Sequence, residues 1–264
     1  MTTVVTTMGW PRWRRSWWHH AMQFRQTWQG SVYSTLLFPL VYLGAMGLGV
    51  GHLVSAHTGL VEGQTYLHYI APGLLATTAL QLGESESLHP VLAGLKWERN
   101  YHAAVTTPLE PRDVLWGRLS WLATRGLFTG LVYAIIIGAF GAVQSWWGLT
   151  LPLVAALITV STAAPLMAYA ATCEDDTSFA YIYRFAVVPM FLFSATFYPL
   201  SAYPASVRPI VQLMPLYHGV ALARAAAFGH GSLGAIAGHL TVLLAMVLMG
   251  LWWGQRTMTR RLVD

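Results

Sequence analysis

The chain has 264 residues, of which 55% are hydrophobic and only 9% are charged, and its formal net charge is +5. Soluble domains carry about 25% charged residues, so this composition excludes an ordinary soluble protein. The single cysteine, Cys173, excludes an internal disulfide and a cysteine-rich metal site. The basic residues lie between apolar segments, as the positive-inside rule describes, and this placement does not indicate nucleic-acid binding.

Long stretches without Asp, Glu, Lys or Arg predict membrane-spanning helices. A helix needs about 20 apolar residues to cross a hydrocarbon core of ~30 Å. Several stretches are apolar on every face, whereas barrel strands alternate apolar and polar residues. The sequence therefore predicts an all-α, polytopic membrane protein with six transmembrane helices. These are placed at residues 31–52, 67–88, 114–140, 149–172, 185–199 and 233–254.

The first 30 residues predict a separate cytoplasmic element. At helical spacing Trp13, Trp17, Phe24 and Trp28 share one face, and most of the polar residues lie away from it. This is the pattern of an amphipathic helix in the membrane interface. We therefore expect an interfacial helix in residues 1–30, a six-helix transmembrane domain in residues 31–264, and membrane lipid as a partner.

The distribution of basic residues predicts the orientation. Arg and Lys cluster before the first span, between the second and third, and after the last. The connections 52–66 and 142–148 contain neither. Since cytoplasmic loops carry the excess of Lys and Arg, both termini are expected in the cytoplasm and the chain in the plasma membrane.

Four ionisable residues are candidates for intramembrane ion pairs. Glu84 and Glu86 end the predicted second span, and Arg118 and Arg125 begin the third. In an antiparallel helix pair Glu86 would approach Arg118, or Glu84 would approach Arg125. Three interpretations stay open: a structural ion pair, anchoring at the headgroup boundary, and a role in transport.

Two pairs of glycines, at positions 47 and 51 and at positions 126 and 130, have the spacing that lets helices approach closely. The spacing is common by chance, so these pairs indicate packing and not function.

The cytoplasmic segment 96–118 predicts a short surface helix. Trp97, Tyr101, Ala104 and Val105 can form an amphipathic stripe, and Pro108 would end the helix. Such a helix could dock a soluble partner or could be a passive surface element.

The connection between the fifth and sixth spans is apolar and broken by Pro199, Pro204, Pro209 and Pro215. Non-helical backbone at membrane depth must pack against protein or line a cavity. We therefore expect a re-entrant hairpin of short helices that dips back from the outer face.

No enzyme motif is present in the sequence. The only lysine, Lys96, follows a leucine, so a Gly-Lys-Ser/Thr phosphate-binding loop is excluded. The acidic triplet Glu174, Asp175 and Asp176 could bind a metal or could cap a helix. A membrane-embedded lipid-modifying enzyme and a non-transporting scaffold therefore stay open as alternatives to a transporter.

Four stretches of the chain resemble the ABC-2 family of export permeases, including the permeases of nodulation-factor and daunorubicin-type drug exporters. The first two are residues 69–73, YIAPG, and residues 107–118, in which TPL precedes DVLWGR. The other two are residues 193–200, FSATFYPL, and residues 214–220, MPLYHGV, with Arg224 beyond them. One position departs from the pattern, because family members commonly have glycine where Ala195 stands.

The resemblance implies a transport mechanism. Two permeases would pair, and each would dock a separate P-loop ATPase that carries ATP and Mg, so no cofactor is expected on this chain. The substrate would be a lipid, a glycolipid or a hydrophobic drug, moved outward. The residues that the resemblance places in the ATPase-coupling helix are Trp97, Glu98, Arg99, Tyr101, Thr107, Pro108 and Leu109. Those in the external gate hairpin are Phe197, Pro199, Pro215, His218 and Arg224.

Overall fold

The computed structural model describes residues 11–50 and 59–263, and these residues are mostly helical, which confirms the all-α class. The described β contact is a single isolated bridge between Val61 and Gln64. The long helices are α1 (Trp13–Gly44), α2 (Tyr66–Ser85), α5 (Pro111–Ala139), α6 (Leu151–Ala170), α10 (Pro215–Phe228) and α11 (Leu233–Val263). The short helices are α3 (His89–Lys96), α4 (Asn100–Val105), α7 (Thr177–Ile182), α8 (Val188–Phe193) and α9 (Arg208–Leu213).

Helix α1 continues without a break through residue 30, where an interfacial helix was predicted to give way to the first span. A π-helical turn, Ala45–Val50, extends it. The helix runs side by side with α5 and in the same direction, since Arg12 meets Glu110 and Phe24 meets Trp121. The interfacial helix is therefore not a separate element among the described residues. Positions 51 and 52 of the predicted first span lie outside them.

Three of the six predicted spans coincide with helices that are long and apolar enough to cross a membrane. Among the described residues these are Pro111–Ala139, Trp146–Ala170 and Leu233–Val263. The helical run Thr177–Phe193 begins earlier than the predicted fifth span and is shorter than a full crossing. The remaining spans and the membrane depth of the hairpin stay predictions.

Glycines set the closest helix contacts. A Cβ on Gly126 would lie 2.8 Å from Ala156 Cα, and one on Gly130 would lie 2.8 Å from Pro152 Cα. The close approach predicted for this pair is therefore confirmed as the contact between α5 and α6. For the earlier pair, position 51 lies outside the described residues.

Two apolar clusters fill the interior. One surrounds the first half of α2 and contains Tyr69, Leu74 and Tyr133. The other lies where α3 meets the beginning of α5, and it contains Leu92, Leu115 and Phe179. Because α2 rises about 1.5 Å per residue, its two ends are ~30 Å apart. The bundle therefore has two distinct ends, and each carries one set of candidate residues.

The connection before the last helix contains the short helices that were predicted. A 3-10 turn, Leu200–Ala202, is followed by α9 and by α10, which begins at Pro215. Helix α10 buries Leu216, Val220 and Ala223 in the first cluster. The hairpin is thus packed against the bundle and is not a free loop.

Candidate functional site

The segment 96–109 lies at the end of the bundle where α2 finishes and α5 begins. Helix α3 ends at Lys96, and Arg99 has a positive φ of 51°, so the backbone turns before α4. The side chain of Trp97 is 58% exposed. Five of its neighbours along the segment are also exposed, namely Glu98, Arg99, Thr106, Thr107 and Pro108.

The other side of this segment is tied to the bundle. Tyr101 is buried in the second apolar cluster, and a Cβ on Gly94 would lie 3.0 Å from its ring. Lys96 Nζ donates to the backbone oxygen of Glu174, whose carboxylate accepts from Arg261. The segment is therefore anchored on its inner side to the α6–α7 turn and to the last turns of α11.

The following helix begins at a defined point. Glu110 accepts from the backbone of Asp113, and Asp113 Oδ2 accepts from the Glu110 N–H at 3.1 Å, which forms a capping box with Pro111 in the first turn. Glu110 also forms ion pairs with Arg12 at 3.2 Å and with Arg112 at 2.7 Å. The exposed segment thus ends at a rigid helix start.

The predicted amphipathic stripe is not formed. Trp97 is exposed whereas Tyr101 is 5% exposed, because the turn at Arg99 separates the two residues into different elements. Tyr101 therefore lies under the exposed surface and not on it. Leu109 is half-buried, which leaves Trp97 as the large apolar side chain that this surface presents. We call Trp97, Glu98, Arg99, Thr107 and Pro108 the docking surface.

A buried ion cluster connects α2 and α5. Glu86 accepts from Arg118 Nη2 at 2.9 Å and also binds Arg125 Nη1. The same Arg118 nitrogen donates to the backbone oxygen of Glu86 at 2.8 Å. The side chains of Arg118 and Arg125 are 8% and 14% exposed. The predicted pairing of Glu86 with Arg118 is therefore confirmed.

The alternative pairing of Glu84 with Arg125 is wrong, because Arg125 binds Glu86. Glu84 is buried at 9% exposure and forms no ion pair with a described residue. Two positions along a helix differ by about 200°, so Glu84 cannot present its carboxylate to the face that Glu86 uses.

The first helix completes this cluster, a contact that the sequence analysis missed. His20 Nδ1 lies 3.4 Å from Arg118 Nη1. Burial, with a smaller contribution from the charge of Arg118, lowers the pKa of His20 to about 3, so the imidazole is neutral at physiological pH. Trp17 Nε1 donates to Thr124 Oγ1 at 3.0 Å nearby. The sequence carries no signal for this contact, because His20 and Arg118 are 98 residues apart and meet only through the parallel packing of α1 on α5.

At the other end of the bundle Arg224 connects three elements. Its guanidinium stacks on the ring of Tyr69, 3.7 Å from the centroid. Its Nη2 donates to the backbone oxygen of Thr196 at 3.0 Å, and its Nε donates to the backbone oxygen of Tyr69 at 3.3 Å. A Cβ on Gly73 would lie 3.1 Å from Thr196 Cγ2. Three of the four family-like stretches therefore meet here.

The other predicted gate residues lie near this junction. Phe197 is 7% exposed and packs edge-on against Phe191 at 5.1 Å, and Pro199 precedes the 3-10 turn. Pro215 begins α10. His218 on α10 has its Nδ1 2.8 Å from Nδ1 of His239 on α11, a pair that sequence analysis did not predict. The hairpin is thus bound both to α2 and to α11.

The backbone at Ala195 has a conformation that glycine adopts more easily than alanine. Its φ is +59°, a left-handed conformation that costs an L-residue about 1–2 kcal/mol, and it is 2% exposed. We expect Ala195→Gly to raise the free energy of unfolding by roughly 1 kcal/mol, since the relief of this strain exceeds the entropy cost of glycine. In a detergent-solubilised melt, the exposed helical control Ala237→Gly should instead lower stability by ~0.5–1 kcal/mol. Equal losses in both variants would contradict this explanation.

The three carboxylates of the acidic triplet, Glu174, Asp175 and Asp176, each contact a different residue. Glu174 binds Arg261, which lowers the pKa of Glu174, and Asp175 Oδ1 accepts from the Thr177 N–H at 3.0 Å, which lowers the pKa of Asp175. Asp176 lies 3.8 Å from His89. Among the described residues no group of three or more His, Cys, Asp or Glu side chains could hold a metal ion. The Asp175 contact is a local turn hydrogen bond, and Asp176, the N-cap residue of α7, forms no side-chain capping hydrogen bond.

The chain is similar in sequence to known membrane proteins over most of its length. Nodulation protein J of Sinorhizobium fredii is 26% identical over 253 residues, which cover 96% of this chain and 94% of the relative. Nodulation protein J of Rhizobium leguminosarum bv. viciae is 24% identical over 264 residues and covers both chains fully. The inner membrane transport permease YadH of Escherichia coli is 25% identical over 202 residues, 76% of each chain.

The profile of the ABC-2 type transporter family matches residues 12–228. The match runs from the start of α1 to the end of α10, so it includes the docking surface, the ion cluster and the Arg224 junction. The chain belongs to the ABC-2 transporter family as one of its membrane permeases.

Proposed function

We propose that this chain is the transmembrane permease subunit of an ATP-binding-cassette exporter. It would move an amphipathic or hydrophobic substrate, such as a lipid, a glycolipid or a drug, out of the cytoplasm or the inner leaflet. A separate P-loop ATPase would supply the energy, and two permeases would form the path between them. The family membership and the exposed, anchored docking surface support this proposal.

The observation that best supports an ATPase partner is the contrast between the two sides of segment 96–109. One side presents an exposed tryptophan among charged and polar residues, and the other is fixed by Tyr101 and by Lys96. Exposed tryptophans surrounded by polar residues are frequent centres of protein interfaces. A surface that is rigid on one side and exposed on the other can transmit force from a docked protein.

The anchoring contacts suggest where that force goes. Glu174 accepts from both Lys96 and Arg261, so a displacement of the docking surface would act on the α6–α7 turn and on α11. The capping box at Glu110 would transmit it to α5. The Arg224 junction, at the opposite end of α2, would then open or close the hairpin as the external gate. In the plasma membrane both termini would be cytoplasmic.

A pull-down tests the proposal. The tagged chain, extracted from its own membranes in mild detergent, should recover a P-loop ATPase with measurable ATP hydrolysis. Trp97→Asp should lower the recovered activity at least about tenfold, because loss of a tryptophan at an interface centre commonly costs 2 kcal/mol or more.

The matched control is Trp147→Asp, since Trp147 is 66% exposed and lies at the other end of the bundle. This variant should retain full recovery. Equal recovery with both variants, or no ATPase with the unchanged chain, would refute docking at this surface.

A further inference from the structure

A groove opens on the outer side of the contact between α1 and α5. The two helices are held together by the hydrogen bond from Trp17 to Thr124 and by the ring contact of Phe24 with Trp121 at 5.5 Å. Beyond these contacts lies a cavity of about 700 Å³. Its lining residues are Trp18, Ala21, Met22, Phe24, Arg25, Trp28 and Phe128.

The lining is apolar and open. Trp18 and Met22 are 61% and 57% exposed, and Trp28 and Phe128 are each 47% exposed. So large an aromatic surface is unfavourable in water but favourable against acyl chains. Arg25 is the one cation in this lining.

The positions of the charged residues predict that the groove lies at the depth of the lipid headgroups. Arg25 and Arg125 are the last charged residues before the charge-free runs 26–61 and 126–173. Since both helices run in the same direction, these two residues mark the same boundary of the hydrocarbon region. Tryptophan is enriched at this depth, and arginine side chains extend toward the headgroups from it.

Among the described residues, the positive charge around the groove exceeds the negative charge. Arg125 shares the carboxylate of Glu86 with Arg118, and Arg25 is exposed and has no hydrogen bond or ion pair with a described residue. Residues 1–61 contain no Asp or Glu at all. A second copy of this chain packed on the same face would bring a further Arg25 and no carboxylate of α1. An anionic ligand with an apolar tail supplies what this surface lacks.

We propose that the groove binds an anionic phospholipid, with the phosphate at Arg25 and an acyl chain along Trp28 and Phe128. A zwitterionic lipid fits less well, because its ammonium group would lie close to the positive charge of Arg25. The assignment to the cytoplasmic leaflet rests on the proposed orientation of the exporter. The binding itself does not require an ATPase.

Lipid titration of the purified full chain in neutral detergent tests the site. The shift of the melting temperature is measured against phosphatidylglycerol and against phosphatidylcholine with the same acyl chains. Phosphatidylglycerol should bind more tightly, and Arg25→Gln should weaken it about fivefold, the contribution of one basic residue at a lipid surface. Phe128→Ala should weaken both lipids.

Arg15→Gln is the matched control, because Arg15 is exposed on the same helix but does not line the groove. It should leave the affinity unchanged. Equal losses for Arg15→Gln and Arg25→Gln would overturn the site in favour of diffuse attraction. Full stabilisation by glycerol 3-phosphate alone would also overturn it. Because no ATPase is present, failure here and failure of the pull-down are separate results.

Discussion

Replacing Glu86 with glutamine should lower the free energy of unfolding by about 3–5 kcal/mol. The change leaves Arg118 and Arg125 as two neighbouring, largely buried cations without a carboxylate. Removing one partner of a buried ion pair is strongly destabilising because the remaining charge is uncompensated. Here one carboxylate serves two arginines, so the loss should lie at the upper end of this range.

Detergent-solubilised protein followed by helical circular dichroism through a denaturation series measures the effect. Glu98→Gln is the control, since Glu98 is exposed and its described polar contact is with Asn100. That variant should lie within about 0.5 kcal/mol of the unchanged chain. A loss below 1 kcal/mol for Glu86→Gln would show that water or lipid solvates the arginines and that the cluster is only a boundary anchor.

Gly250→Ala should separate α11 from α6 and destabilise the chain by roughly 1–3 kcal/mol. A Cβ at this position would lie 2.5 Å from Ala164 C and 2.5 Å from Pro165 N, which are backbone atoms that cannot rotate away. Few positions of α11 are buried, so the contact at Gly250 is a large part of what attaches this helix. The loss should therefore be accompanied by faster proteolysis of the C-terminal helix.

The same helix provides the control. Gly238 has no atom within 4 Å of its ideal Cβ, so Gly238→Ala should stabilise α11 by up to about 1 kcal/mol through helix propensity alone. The two substitutions are chemically identical and differ only in their neighbours. Similar effects in the two variants would contradict the close helix approach.

Hydropathy predicted the positions of three long apolar helices better than the points at which α1 and α11 end. The helices at 111–139 and 151–170 match the expected spans within three residues. Helix α11, however, continues nine residues past the expected end at 254, and α1 passes through residue 30. A change from apolar to polar residues alters the solvent that a helix prefers and does not stop the helix itself.

The ion cluster could be predicted in part. Antiparallel packing of neighbouring spans correctly brought Glu86 to Arg118. Arg118 and Arg125 are two turns apart, so both lie on one face of α5 and both reach the same carboxylate. The role of His20 could not be predicted, because it depends on α1 and α5 packing in parallel across a sequence separation of 98 residues.

The sequence did not predict which side chains of the docking surface are exposed. A helical stripe through Trp97 and Tyr101 assumed one continuous helix, and the positive φ of Arg99 breaks it. No glycine or proline marks that position in the sequence. The resemblance to the family predicts that this segment couples to an ATPase, and only the structure distinguishes its exposed side chains from its anchoring ones.

Site-specific photo-crosslinking in native membranes tests the exporter account most directly. A photoreactive residue at exposed position 107 should form an ATP-modulated adduct with a P-loop ATPase, while the same residue at position 147 should not. That result would place the ATPase on the docking surface and this end of the bundle in the cytoplasm. An adduct from position 147 alone, or none from position 107 in membranes that contain the ATPase, would contradict the account.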